Sequence, residues 1–204
     1  MRRYATRLIP IAIAAIIVLF QFFSSEKATN EAGRTAHYGL SPAQEETLGL
    51  QSYKQVLSES QTVSSGPEYD LVSSVAARLA RATEKNLNWQ VSVVRGNEQV
   101  NAFCLPGGKI VVYTGILPIA KNAAGLATVM GHEMAHATLR HGSERMFKQT
   151  VTQTLMSGAQ FSLGDMDYGQ RRALMGLIGA GAQYGVLMPF GRDHESEADK
   201  IGLM

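Results

Sequence analysis

His132-Glu133-Met134-Ala135-His136 holds the residues best suited to chemistry in this chain. On a helix, two histidines four positions apart stack one turn above the other, about 6 Å along the axis, so both imidazoles reach a single ion. That is half of a metal site. Zinc in catalytic proteins takes three protein ligands and leaves one position for water, and Glu133, next to the first histidine, stands close enough to that water to accept its proton. The chemistry would be metal-assisted hydrolysis. With 5 His and 17 acidic residues among 204, a chance H-E-x-x-H is roughly a one-in-a-hundred event.

A third ligand must come from elsewhere in the chain. Cys104 is the only thiol, and its neighbours Phe103 and Leu105 read as strand, which makes it a small packed side chain. His141 lies five residues past His136, roughly 140° round a continuous helix, so it reads as a structural or surface histidine. The metzincin position, six residues after the second histidine, is Gly142. Glu195 and Asp199 stand one turn apart on one helix face, which suits a carboxylate ligand and a second carboxylate that holds a ligand histidine in its tautomer. His194 and Glu197 point to other faces of that helix and rank behind Glu195.

The elements that must position these residues follow from periodicity. Ser41-Pro42-Ala43-Gln44 reads as a capped helix start running to about Ser58. A second helix opens near Gly66-Pro67-Glu68 and turns Leu71, Val72, Val75, Ala76 and Leu79 to the core. After Asn86 the period becomes two: Trp89–Val94, Val100–Leu105 and Lys109–Tyr113 read as three antiparallel strands, separated by Gly96-Asn97 and Pro106-Gly107-Gly108. An edge strand beside a metal would offer its backbone to an extended polypeptide; the same strands would also serve simply as core. Asn122 caps the helix that carries H-E-x-x-H, and with no proline the pattern runs unbroken from Ala123 to about Gln149. Gly131, directly before His132, permits a close approach. Between Thr150 and Pro189 an apolar segment interrupted at 164–167 is too short for a membrane span. Its Gly181 and Gly185 predict close packing against the H-E-x-x-H helix, and Pro189 is expected to stop it.

Composition sets the frame. The chain is 45% hydrophobic with a net charge of +2, enough for one globular domain plus an appendage, and it has no clustered basic face for nucleic acid. Arg2, Arg3 and Arg7 precede an apolar stretch from Leu8 to Phe23, the order of an export signal, so residues 1–23 read as a signal anchor or a removed signal peptide. Residues 24–40 read as a polar linker, with His37 solvated in it. Residues 41–204 then form the functional domain, with α+β architecture.

Asn101-Ala102-Phe103, Pro106-Gly107-Gly108, Thr114-Gly115-Ile116-Leu117, Gly131-His132-Glu133-Met134-Ala135-His136 with Arg140-His141, and Pro189 and Arg192 ahead of Glu195-Ser196-Glu197-Ala198-Asp199 follow a family's order and spacing. From about Ser41 to Met204 the chain resembles the zinc metallopeptidases of the CAAX prenyl protease type I, HtpX and BepA-like family, the gluzincins. The resemblance implies a mostly helical, zincin-like fold with a small three-stranded antiparallel sheet beside the H-E-x-x-H helix. It implies one zinc ion on His132, His136 and Glu195, Glu133 as base and Asp199 in support. It implies cleavage of damaged or misassembled envelope proteins, with the domain anchored at the inner membrane on the periplasmic side, or exported. Relatives continue with further helices and another histidine near the metal, so more chain, including an oxyanion stabiliser, is expected beyond Met204. Two other readings remain: a non-hydrolytic, zinc-containing envelope chaperone holding unfolded chains on its edge strand, and a tethered scaffold with a coincidental motif.

Overall fold

The computed structural model describes residues 2–164, 166–183 and 187–204. Helix α1 (Arg2–Ser24) leads into a hairpin, β1 (Glu26–Thr29) and β2 (Thr35–Tyr38), and then into α2 (Pro42–Ser58). The segment expected as a plain linker over 24–40 therefore carries a two-stranded sheet. Its turn closes where the Asn30 N–H donates to the Arg34 carbonyl. His37 is not a solvated residue: its Nδ1 lies 2.8 Å from the Ser25 hydroxyl and its ring stacks on Phe147.

Helix α2 starts as its sequence dictates. The Ser41 hydroxyl accepts from the Gln44 N–H and the Gln44 side chain accepts from the Ser41 N–H, so two otherwise orphaned donors are satisfied. A two-residue strand, β3 (Thr62–Val63), precedes α3 (Pro67–Ala82), whose Val72, Val75 and Ala76 are buried. Strands β4 (Gln90–Val94), β5 (Ala102–Leu105) and β6 (Lys109–Tyr113) follow, then a 3-10 turn (Thr114–Ile116) and the short helix α4 (Leu117–Ala120).

The sheet is four-stranded and mixed, in the order β3-β4-β6-β5, not three-stranded and antiparallel. Strand β6 inserts between its predecessors, parallel to β4 and antiparallel to β5. The reason is burial: Lys109 to Val112 are buried on both faces, the pattern of a central strand, whereas β5 is only partly buried. Gly96-Asn97 does not close a hairpin but braces the end of β6. There the Gly96 N–H donates to the Thr114 hydroxyl, which donates to Asn97 Oδ1. One sheet face, with Val93, Ala102, Ile110 and Val112, packs on α3 and on α5 (Ala123–Thr138) through Val72, Leu126, Met130 and Met134. The other face, with Val94 and Val111, packs with Tyr53, Val56 and Leu57 of α2.

Asn122 caps α5, its Oδ1 accepting from the N–H groups of Ala124 and Gly125. The helix then stops well short of Gln149. Arg140 takes a left-handed conformation, φ 59°, and a separate helix, α6 (His141–Ser162), follows it. Its guanidinium holds the break in place, donating to Glu45 Oε1 at 2.9 Å and to the Leu40 carbonyl at 2.7 Å. Helix α7 (Tyr168–Ala182) begins at the Asp167 cap, and α8 (Met188–Gly202) closes the chain. Pro189 falls in the first turn of α8 and opens that helix, a position where its missing N–H costs nothing. Among the described residues nothing lies within 4 Å of a Cβ built at Gly176 or Gly181, which is not the close approach expected at Gly181, and Gly185 lies outside the described residues.

By internal contacts the chain divides into two units, one of Met1–Ala28, Thr35–Gly39 and Glu144–Asp193, the other of Thr29–Arg34, Leu40–Ser143 and His194–Met204. In the first, α1 meets α6 at Gly158, where a Cβ would lie 2.4 Å from that of Ala14, and it exposes Ile16, Phe20 and Phe23 at 65, 71 and 88%. Among the described residues no helix is long and apolar enough to cross a membrane. The second unit contains the sheet, α5 and every residue singled out above for chemistry.

Candidate metal centre

Two helices bring the site together. Helix α5 presents His132, Glu133 and His136, and α8 crosses it where both chains are bare of side chains: a Cβ on Gly131 would lie 2.6 Å from the Gly202 carbonyl, and one on Gly202 2.7 Å from the His132 nitrogen. Ala135 of α5 and Leu139, its C-cap, pack with Ala198 and Ile201 of α8 beside this crossing. That contact sets Glu195 over the two imidazoles. His132 Nε2 lies 3.1 Å from His136 Nε2 and 3.3 Å from Glu195 Oε2, and His136 Nε2 lies 3.7 Å from Glu195 Oε1.

Those separations suit a metal. Ligands about 2.0–2.2 Å from a tetrahedral zinc stand roughly 3.3–3.5 Å apart. The hydrogen bonds behind the rings point the same way. His132 Nδ1 lies 2.8 Å from Asp199 Oδ1, a carboxylate that accepts a hydrogen bond from the ring's Nδ1–H and so leaves the lone pair on Nε2. Two imidazole lone pairs and a carboxylate converging at these distances repel one another unless a cation lies between them. The residues present therefore fit a zinc ion.

Glu133 is half-buried beside them. Burial above all, and the neighbouring Glu195 carboxylate, push its carboxyl above the usual range, against the opposing pull of His132. A carboxylate raised in this way is a better base at neutral pH. Cys104, on β5, faces the same region: burial chiefly, then the charge of Glu133, push its thiol up, with Lys109 opposing.

Strand β5 is the last of its sheet, and no strand pairs with its other side among the described residues. The Tyr113 N–H donates to the Asn101 carbonyl, so alternation along the ladder turns the N–H and C=O groups of Phe103 and Leu105 toward β6 and those of Ala102 and Cys104 outward. The side chains of Ala102 and Cys104 pack in the same core as Met130 and Met134 of α5.

His141, His194 and Glu197, ranked low on sequence, lie directly behind the site. His141 is 2% exposed, and its Nδ1 is 2.9 Å from His136 Nδ1. The break at Arg140 makes this possible, because on a continuous helix the ring would face elsewhere. His194, fully buried, stacks on His141 with centroids 3.8 Å apart. Burial first, then His194, push His141 down to about 4 against its bond to Glu197, so it is neutral at neutral pH. Burial alone would raise Glu197, but hydrogen bonds from Arg34, His141 and Asn30 outweigh it and hold the carboxyl below the usual range.

A helix-borne H-E-x-x-H, a carboxylate delivered by a later helix and a sheet edge alongside are the parts of a metallopeptidase. Residues 68–204 match Peptidase family M48, and the chain belongs to that family. It is similar to the mitochondrial metalloendopeptidase OMA1 of Schizosaccharomyces pombe, 37% identical over 164 residues that cover 78% of this chain and 46% of the relative. The Saccharomyces cerevisiae protein of the same name is 30% identical over 206 residues, 91% of this chain and 55% of the relative. The beta-barrel assembly-enhancing protease of Escherichia coli is 27% identical over 188 residues, 89% and 38%. The chain thus spans about half the length, or less, of these curated relatives.

Proposed function

We propose that the protein is a zinc-dependent endopeptidase that hydrolyses misfolded or damaged proteins of the cell envelope. The observation that carries this is the convergence of His132 Nε2, His136 Nε2 and a Glu195 carboxylate, whose ligand atoms lie within 4.8 Å of one another. Bound there, zinc supplies Lewis acidity that polarises a carbonyl and makes water more acidic. Glu133 takes the proton of the attacking water and hands it to the leaving amine. Asp199 holds His132 with Nε2 toward the metal. A substrate adds to β5 in extended form, its backbone bonding to Ala102 and Cys104, which reads main chain more than sequence and suits unfolded clients. The relatives' printed names, a mitochondrial metalloendopeptidase and a beta-barrel assembly-enhancing protease, support an envelope setting. The exposed apolar side of α1 associates the protein with the membrane, the domain lying on the periplasmic side.

The test is casein cleavage alongside metal analysis of the purified protein. Glu133→Gln is expected to keep its zinc and lose at least about 10²-fold in turnover; Glu195→Ala is expected to lose the metal. A Glu133→Gln protein that cuts at the parental rate refutes these roles. Client binding that persists after chelation, with no cleavage at any stage, instead identifies a holding module.

A further inference from the structure

The hydrogen bonds behind His136 form a directed chain that begins in the N-terminal hairpin. Glu197 accepts from three donors in the hairpin: Asn30 Nδ2 donates to Oε2 at 2.9 Å, Arg34 Nη2 to Oε2 at 3.1 Å and Arg34 Nε to Oε1. An ionised carboxylate can only accept, so His141, whose Nε2 lies 3.0 Å from Oε2, places its proton on Nε2. The neutral ring then has a lone pair at Nδ1, 2.9 Å from His136 Nδ1. His136 in turn donates from Nδ1 and leaves Nε2 bare toward His132 and Glu195. The stacked ring of His194 holds the plane of His141.

We propose that His141 and Glu197, braced by Asn30 and Arg34, are positioning residues that fix His136 in the tautomer a metal requires, as Asp199 does for His132. The proposal rests on the metallopeptidase reading and gives the segment 29–34 a part in it. Each ligand histidine has its own support: a direct carboxylate for His132, and for His136 a carboxylate acting through a second imidazole. Such partners orient the ring and make it a better ligand, and losing one costs about 10–100-fold in metal affinity.

The experiment uses the full chain, stripped of metal, with zinc affinity measured by competition against a chromophoric chelator and the His136 tautomer read by ¹⁵N NMR of the imidazoles. In the metal-free parent, His136 is expected to carry its proton on Nδ1. His141→Leu is expected to lose that preference and to weaken zinc about 10–100-fold. His141→Asn, whose amide oxygen can accept near the position of Nδ1, is expected to restore most of both. If His141→Leu does not fold, Glu197→Gln carries the same test, with a weakening in the same direction. Val111→Ala, a core substitution on the other side of the sheet, is expected to lower Tm without moving zinc affinity. Parental affinity and tautomer in His141→Leu overturn the proposal, as does a Val111→Ala protein that weakens zinc equally. A parent that binds no zinc sinks the metallopeptidase reading, while the tautomer measurements still decide the relay.

Discussion

Cys104 shows how strongly position governs a side chain. It is the only thiol, it lies on the strand proposed to receive substrate, and a sequence scan for nucleophiles would stop there. Burial and the Glu133 carboxylate both disfavour its thiolate, which is the reactive form. With the pKa raised, the thiol stays protonated through pH 7–9 in the folded state, whereas an unfolded chain ionises near the free value of about 8.5. Maleimide or disulfide reagents at pH 8 are therefore expected to label native protein at least ~10-fold more slowly than protein unfolded in guanidinium. Labelling that is fast, and that rises across pH 7–9 in the native state as a free thiol would, contradicts this placement. The same surroundings that quiet the thiol raise Glu133 toward the range of a working base.

At the scale of elements, the site depends on two backbones touching. Glu195 and Asp199 ride on α8, and α8 sits on α5 only because Gly131 and Gly202 have no Cβ to hold them apart. Gly202→Ala forces a methyl to within 2.7–2.8 Å of backbone atoms of Gly131 and His132, which rigid main chain cannot yield. A loss of about 1–3 kcal/mol, seen as a lower Tm, is expected together with weakened zinc binding as Glu195 is lifted away. Unchanged values for both would show that the helices separate without cost. Much at this scale was legible in the sequence: the Ser41 capping box, the buried stripe of α3, the Asn122 cap and the small residue before His132 all rest on local rules. The order of strands was not, because the burial of β6 on both faces comes from three separate helices, α3 and α5 on one face and α2 on the other. The hairpin over 26–38 is not legible either, since each strand is only four residues long and β1 is exposed throughout, although Ala36 and Tyr38 of β2 alternate inward. Glu197 and His141 were undervalued for a related reason. A buried charge is recognised by its partners, and here these are Asn30 and Arg34, more than 160 positions from Glu197.

Taken whole, the chain divides its surfaces by chemistry. The unit that holds the metal candidates exposes large apolar side chains only at scattered positions such as Val100 and Ile119, while α1 in the other unit exposes a run of them, including Ile16, Phe20 and Phe23. Full-length protein is expected to float with vesicles of bacterial polar lipids, and an Ile16→Asp, Phe20→Asp protein to remain at the bottom of the gradient, since a charge in the apolar interior costs about 2.5–3.5 kcal/mol each. Equal flotation of the two would remove α1 from any membrane role. The break between α5 and α6 has a consequence for how the molecule is made. The left-handed position is held not by a glycine but by Arg140, a good helix former, bonded to Glu45 and to the Leu40 carbonyl, groups contributed from near the start of α2. Until that earlier helix docks, residues 123–149 have no local instruction to turn, and His141 is carried away from His136. Assembly of the centre therefore waits on α2, whose residues leave the ribosome before either histidine does.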